Sequence, residues 1–277
     1  MNSSFQQILS LLFPRRCPVC GEIIRVAAPQ LCENCAAQWQ KESALPCPLC
    51  QRKARECRCA PAALSGISNM VVYSAGFYEP GNTHAVTSRL VYALKHRADD
   101  GAAHVLARDL AGVILRGGLA EGEDIRTWTI TYAPRSAAGL AKDGFDQSRR
   151  LAKLCARYTG ARFAEIFRRD GGEMQKKLSE EARRINAAAS IRLRHPGRTY
   201  SGKYILVDDI ITTGATLAEC AALLRQSGAR SVVFAAALRT RPKRKKTPGT
   251  NQAVVRPIGN ITNDKIRRHI TFRRIIY

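Results

Sequence analysis

The chain has 277 residues, enough for one medium domain and a small module rather than two full domains. A 45% apolar and 6% aromatic content suits a globular α/β protein with a real core, and no stretch approaches the ~18–20 apolar residues of a membrane-spanning helix. Against 22 Asp and Glu stand 45 Lys and Arg, a formal charge of +23, which favours polyanionic partners such as nucleic acid, phosphorylated ligands or an anionic membrane surface, unless it only marks a solvated basic tail.

Residues 1–16 carry a short apolar run, Ile8, Leu9, Leu11, Leu12 and Phe13. A secretory signal would place basic residues before such a run and a small-residue cleavage site after it. Here Arg15 and Arg16 follow the run, and no such site precedes Cys17. The segment is therefore read as an amphipathic lead-in helix, and the protein is expected in the cytoplasm without a transmembrane segment.

Residues 17–60 hold eight of the ten cysteines, as Cys17-x-x-Cys20, Cys32-x-x-Cys35, Cys47-x-x-Cys50 and Cys57-x-Cys59. Each close pair aims two thiolates at one point, so two pairs complete a tetrahedral Zn²⁺ shell. Eight cysteines predict two structural zinc sites. Adjacency assigns Cys17, Cys20, Cys32 and Cys35 to one and Cys47, Cys50, Cys57 and Cys59 to the other, although an interleaved pairing uses the same residues. Disulfides are the competing account, and a reducing cytosol argues against them. So small a segment cannot bury enough apolar surface to fold alone, which makes the metal structural. Its flanking Arg and Lys residues fit nucleic-acid binding or plain docking equally well. Cys155 and Cys220 fall at apolar helical positions and are expected in the core.

From about Met70 to Arg239 strand and helix patterns alternate, the sign of a βα architecture over residues 61–240. Strands are predicted at Met70–Tyr73, Trp128–Ala133, Tyr204–Val207 and Ser231–Leu238. Helices are predicted at Thr83–His96, Ala102–Arg116, Gln147–Tyr158 and Leu217–Gln226. The sharpest motif is Tyr204-Ile-Leu-Val-Asp-Asp-Ile-Ile-Thr-Thr-Gly-Ala-Thr-Leu217. An apolar strand ends in Asp208 and Asp209, and a loop of Thr212, Thr213, Gly214, Ala215 and Thr216 leads into a helix. Free N–H groups at a helix start bind anions, Gly214 permits close backbone approach, and the Thr hydroxyls add donors. Paired acids beside a phosphate site make sense if they accept from sugar hydroxyls or hold Mg²⁺ through water.

Other nucleotide folds fit less well. An NTPase needs Gly-Lys-Ser/Thr, whereas Gly202-Lys203 is followed by Tyr204, and no GxGxxG is present. The histidines, His84, His96, His104, His195 and His269, form no identifiable catalytic constellation. Residues 241–277 carry eleven Lys or Arg and one Asp without core periodicity, and are read as a disordered basic tail.

The Asp208–Thr216 segment resembles the phosphoribosyl pyrophosphate motif of type I phosphoribosyltransferases. With the cysteine module before it, the chain resembles the ComF family, which includes competence and GntX-like proteins. Phe13-Pro-Arg-Arg-Cys-Pro-Val-Cys-Gly21, Tyr78-Glu79, Leu94-Lys95-His96-Arg97 and Gln175-x-x-Leu178-Ser179 with Arg183, Arg184 and Asn186 carry the resemblance through most of residues 10–240. It implies a type I phosphoribosyltransferase fold, a mainly parallel sheet flanked by helices with a smaller hood, preceded by a double zinc ribbon. It implies ribose contacts from Asp208 and Asp209 and a 5′-phosphate site at Thr212–Thr216. It implies a pyrophosphate-side loop running from Ala133-Pro-Arg135-Ser136 to Lys142-Asp143-Gly144-Phe145-Asp146-Gln147, with Arg135, Ser136 and Lys142 as contacts. There the family has Arg-Gly-Phe-Asn-Gln, so Asp143 and Asp146 replace a cation and an amide, which is unfavourable beside pyrophosphate. The implied role is a phosphoribosyl pyrophosphate-binding factor in DNA uptake and natural competence, or transformation. Its implied partners are single-stranded DNA and a DNA-uptake helicase or inner-membrane channel. The alternative is an active phosphoribosyltransferase, a glycosyltransferase acting on a nucleobase-like or amine acceptor.

Overall fold

The computed structural model describes residues 14–24, 30–68, 70–117, 123–135, 139–141, 144–169 and 190–242. The chain divides after Arg244; the second unit, Lys245–Tyr277, lies outside the described residues. So do most of the expected lead-in helix, the Gln175–Asn186 signature, and the basic tail beyond Pro242.

Five parallel strands form the main sheet in the order β1 (Val72–Tyr78), β7 (Ser231–Thr240), β6 (Lys203–Ile211), β2 (Trp128–Tyr132) and β3 (Arg162–Phe163). Parallel neighbours require crossovers, and the helices that make them cover both faces. One face packs against α2 (Val86–Arg97), α3 (Asp100–Arg116) and α4 (Gln147–Thr159); α5 (Ala215–Gln226) and Leu64 cover the other. Burial on both sides explains why Tyr204–Val207 reads as an unbroken apolar run: Ile205 and Val207 join the first layer, Tyr204 and Leu206 the second. Cys155 and Cys220 are buried in these layers, as expected. The mainly parallel sheet flanked by helices, with a small cysteine-rich module before it, is the architecture the sequence predicted. A separate antiparallel ribbon pairs β4 (Phe167–Arg169) with β5 (Ile191–Leu193).

Several boundaries differ from expectation for physical reasons. Strand β1 runs on to Tyr78 although Ser74, Ala75 and Gly76 carry little strand signal. A Cβ on Gly76 would stand 3.1 Å from Leu238 and 3.7 Å from the Cα of Ser43, so small residues there admit close neighbours. Strand β6 continues through both acids instead of stopping at Val207. Beyond them the layers exchange, Ile210 packing with the first cluster and Ile211 with the second. The strand's in-out alternation therefore slips at Asp208–Asp209.

The cysteine segment is two like turns and a helix. Cys17 N–H donates to Glu22 O (2.8 Å) and Gly21 N–H to Cys17 O (2.9 Å); Cys47 N–H donates to Arg52 O (2.7 Å) and Gln51 N–H to Cys47 O (2.9 Å). The residue after each pair is left-handed, Gly21 at φ 80° and Gln51 at φ 60°. Helix α1 (Glu33–Ser43), which the sequence reading missed, follows Cys32. The module, too small to bury enough apolar surface alone, shares a core with the domain that follows it. Cys17, Ile24, Leu31, Cys32, Cys35 and Trp39 belong to the same buried cluster as α2, α3 and α4. Trp39 Nε1 donates to Asp109 on α3 (2.5 Å), and the Glu42 carboxylate accepts from the N–H groups of Val86 (2.8 Å) and Thr87 (2.9 Å) that open α2. Buried Arg239, near the end of β7, donates to the carbonyls of Cys57 and Cys59. Arg241, assigned to the basic tail, instead donates to Pro46 O and through its N–H to Tyr78 O.

Candidate functional site

The two acids sit at the carboxyl end of β6, where the parallel sheet opens toward the loops. Asp208 Oδ1 accepts from Ser148 Oγ on α4 (2.8 Å) and from Asp209 N–H (2.9 Å). Asp209 Oδ1 accepts from Ile210 N–H (2.7 Å), and its Oδ2 pairs with Lys95 Nζ on α2 (2.9 Å). Burial, and then the charge of Asp209, push the Asp208 carboxyl up to about 7, while the Ser148 hydrogen bond pulls it down. A cation or a set of hydroxyl donors would relieve that pair, which is the donor chemistry of a ribose diol or hydrated Mg²⁺.

The Thr212–Thr216 loop lies where the sequence placed it. Helix α5 starts at Ala215, and its N-cap, Gly214, supplies no side-chain acceptor. A helix start without a side-chain cap retains N–H groups able to meet an anion. Thr212 and Thr216 line a cavity with Asp208. Thr213 is exposed, its carbonyl accepting from Ala63 N–H (2.9 Å) and its hydroxyl 3.4 Å from Ala215 N. Gly214 was expected to permit close backbone approach to an anion, and the structure adds a packing reason for glycine at this position. It is buried at φ 81°, and a Cβ would meet Leu64 Cγ at 2.7 Å. Backbone conformation and Leu64 by themselves already require glycine there.

Of the expected pyrophosphate-side contacts only Arg135 is described; Ser136 and Lys142, like Asp143, lie outside the described residues. Arg135 joins Lys95, Ser148, Arg169, Asp208, Asp209 and Thr216 around a cavity of about 200 Å³. Asp146 was expected to burden this loop with negative charge. It caps α4 instead, accepting from Arg149 N–H (3.0 Å) and Arg135 N–H (3.2 Å), and burial raises its carboxyl above the usual range. Lys95, Ser148 and Arg169 are site residues that sequence reasoning did not single out as such. Lys95 stood within a motif already noted, Ser148 follows the Asp146 cap by two residues, and Arg169 ends a three-residue strand with no periodic signal.

A larger cavity, about 920 Å³, opens on the other side of Lys95 and Asp208. Its walls are α2, the Gly81–Thr83 turn with Tyr78, and the first cysteine turn through Pro18 and Val19.

Both cysteine groups form as adjacency predicted: Cys17, Cys20, Cys32 and Cys35 in one, Cys47, Cys50, Cys57 and Cys59 in the other, the Sγ atoms of each within 4.8 Å of one another. Zn–S bonds of about 2.3 Å in a tetrahedron put sulfurs about 3.8 Å apart. Cys20–Cys32 at 3.6 Å, Cys50–Cys57 at 3.5 Å and Cys47–Cys59 at 3.9 Å match that spacing. Burial raises the Cys32 thiol to about 11 and Cys59 to about 12, and a divalent cation would reverse that cost by binding thiolates. Either group can hold a metal ion.

No protein-family model matches the chain. It is 28% identical over 218 residues to the DNA utilization protein YhgH of Salmonella typhimurium, covering 78% of this chain and 86% of that protein. The transcriptional regulator GfcR of Methanoculleus marisnigri is 31% identical over 134 residues, 48% of this chain and 57% of that one. Among solved structures, a hypoxanthine-guanine phosphoribosyltransferase of Bacillus anthracis superposes with a TM-score of 0.33 at 19% identity, covering 53% of this chain and 74% of that one. A superposition of that quality bears no weight, and the fold rests on the strand order and register above. No helix among the described residues is long and apolar enough to cross a membrane.

Proposed function

We propose that the chain is a ComF-like protein that binds phosphoribosyl pyrophosphate with Mg²⁺ and handles single-stranded DNA in the cytoplasm during DNA uptake. The observation that carries this reading is the junction of Asp208 and Asp209 with an uncapped helix start, facing open cavities ringed by Lys95, Arg135 and Arg169. In this reading the two carboxylates accept from the ribose hydroxyls once Lys95 releases Asp209. Thr212, Thr216 and the N–H groups opening α5 receive the 5′-phosphate, and Arg135 faces the pyrophosphate. Mg²⁺ held through water by the carboxylates would supply charge neutralisation at the pyrophosphate. Zn²⁺ in the two four-cysteine groups would hold the N-terminal module. Similarity to the Salmonella DNA utilization protein and the +23 charge support the nucleic-acid half of the reading. A helicase or membrane channel of the uptake machinery is the partner expected with it.

Calorimetric titration with Mg²⁺ and phosphoribosyl pyrophosphate tests the ligand. Asp208→Ala combined with Asp209→Ala removes at least two charge-assisted hydrogen bonds of about 1.5–3 kcal/mol each, so affinity is expected to fall at least about a hundredfold. Wild-type protein that gives no heat of binding, or a double variant that binds equally well, overturns the assignment. Pyrophosphate release in the presence of nucleobases or amines would instead reveal a working transferase.

A further inference from the structure

The sequence motif leaves unexplained why the cavity extends well beyond the acids, and what its exposed rim does. Tyr92, on α2, is 60% exposed, and among the described large apolar side chains that are mostly outside it is the one aromatic. Helical spacing puts His96 one turn on, with ring centroids 4.8 Å apart at 41°, and Arg89 one turn back. All three line the 920 Å³ cavity, whose floor is Asp208, Thr212 and Thr216. Around that cavity Arg89, Lys95 and Arg97 stand against a single acid, Asp208. An exposed ring beside a second ring and a guanidinium, over a cationic basin, suits a ligand with flat faces and a polyanionic backbone.

We propose that Tyr92 and His96 form a stacking ledge for a base of single-stranded nucleic acid, with Arg89 meeting the adjoining phosphate. The inference rests on the nucleic-acid half of the proposed function and gives it a location. The strand would cross the cavity mouth on the exposed face of α2. Lys95, on the same helix, faces inward to Asp209, so the strand and the sugar pyrophosphate would share one helix as a common wall. Bases stack without sequence preference, and the ledge is therefore expected to accept any sequence of single strand.

The test uses the full chain and fluorescence anisotropy with two labelled 20-mers, oligo-dT and an abasic oligomer of equal phosphate count. Tyr92→Ala is expected to weaken oligo-dT binding about tenfold and leave abasic binding unchanged, while Tyr92→Phe keeps wild-type affinity. Arg89→Ala should weaken both and lower the salt slope by about 0.7. Melting temperature and zinc content should hold in the Tyr92 variants, since the side chain is largely outside. Equal loss on both oligomers, or none on oligo-dT, overturns the ledge and leaves the rest of the proposed function standing. Wild-type protein that binds neither oligomer overturns both. Free adenine binding that depends on Tyr92, with oligo-dT indifferent to it, would assign the ledge to a small acceptor and overturn the strand.

Discussion

Replacing Asp208 by Asn sets the stability of the fold against the chemistry of its site. Burial first, and Asp209 second, raise the Asp208 carboxyl from an ordinary 3.8 to about 7. The folded chain thus holds that proton about three powers of ten more tightly than the unfolded chain. Each power of ten is about 1.4 kcal/mol, giving an upper bound of about 4 kcal/mol for the ionised group; solvent contact at the cavity floor brings it toward about 2–3 kcal/mol. Because the folded value is the higher one, the destabilisation is absent below about pH 4, grows as pH rises, and is complete above about pH 7. An amide at this position can still accept from Ser148 and from Asp209 N–H through Oδ1, with a new buried NH₂ costing about 1 kcal/mol. Asp208→Asn should therefore raise stability by about 1–2 kcal/mol at pH 8, or roughly 2–8 °C in Tm, and the gain should vanish near pH 5. Binding of phosphoribosyl pyrophosphate should weaken at both pH values. Differential scanning calorimetry across pH 5–8 decides the point: a gain independent of pH, or a loss at pH 8, would refute the account of Asp208 as a strained buried carboxylate.

Protein purified under reducing conditions should carry about two Zn²⁺ per chain by metal analysis, and Cys20→Ser or Cys50→Ser should each remove about one. Gly214→Val should lower stability by about 2–4 kcal/mol through the left-handed backbone and the Leu64 contact, and Leu64→Ala should recover part of it; thermal melts of the single and double variants read this. Glu42→Ala should cost about 1–2 kcal/mol by uncapping α2, and should also weaken ligand binding in calorimetry because Lys95 rides on that helix. Ending the chain after Pro242 should flatten the salt dependence of single-strand binding, since it removes ten Lys or Arg; an unchanged slope would exclude the tail as a contact surface.

Much of this architecture was legible because burial writes itself into composition. Tyr204–Val207 is apolar at every position since both layers touch it, and the cysteine spacing repeats because the two turns repeat. The acids were visible as a departure from that same apolar run. Other parts depended on approach from distant elements. Glu42 is an ordinary helical glutamate until Val86 arrives, and Asp146 looked like an unwelcome charge until it met the amides of Arg135 and Arg149. Lys95 lay on a face whose apolar spacing reports only packing, and the partner that gives it meaning is 114 positions away. Gly214 stood out in the sequence, but the packing reason for it did not, because its neighbour Leu64 sits in a segment without periodic signal.

The ties between the cysteine module and α2 would make the proposed ligand site a device with two inputs. Glu42 caps the helix, Arg97 near its other end donates to Pro18 O, and Pro18 lies between the first two cysteines. A metal that fixes the module thereby fixes Lys95 and the wall above Asp208. Equilibrium coupling of this kind is reciprocal: whatever factor the metal adds to ligand affinity, the ligand returns to metal affinity. If Asp208 and Asp209 hold the proposed sugar pyrophosphate, oxidation or chelation of the thiolates would register there as a loss of ligand, and bound ligand would shelter the thiolates from both.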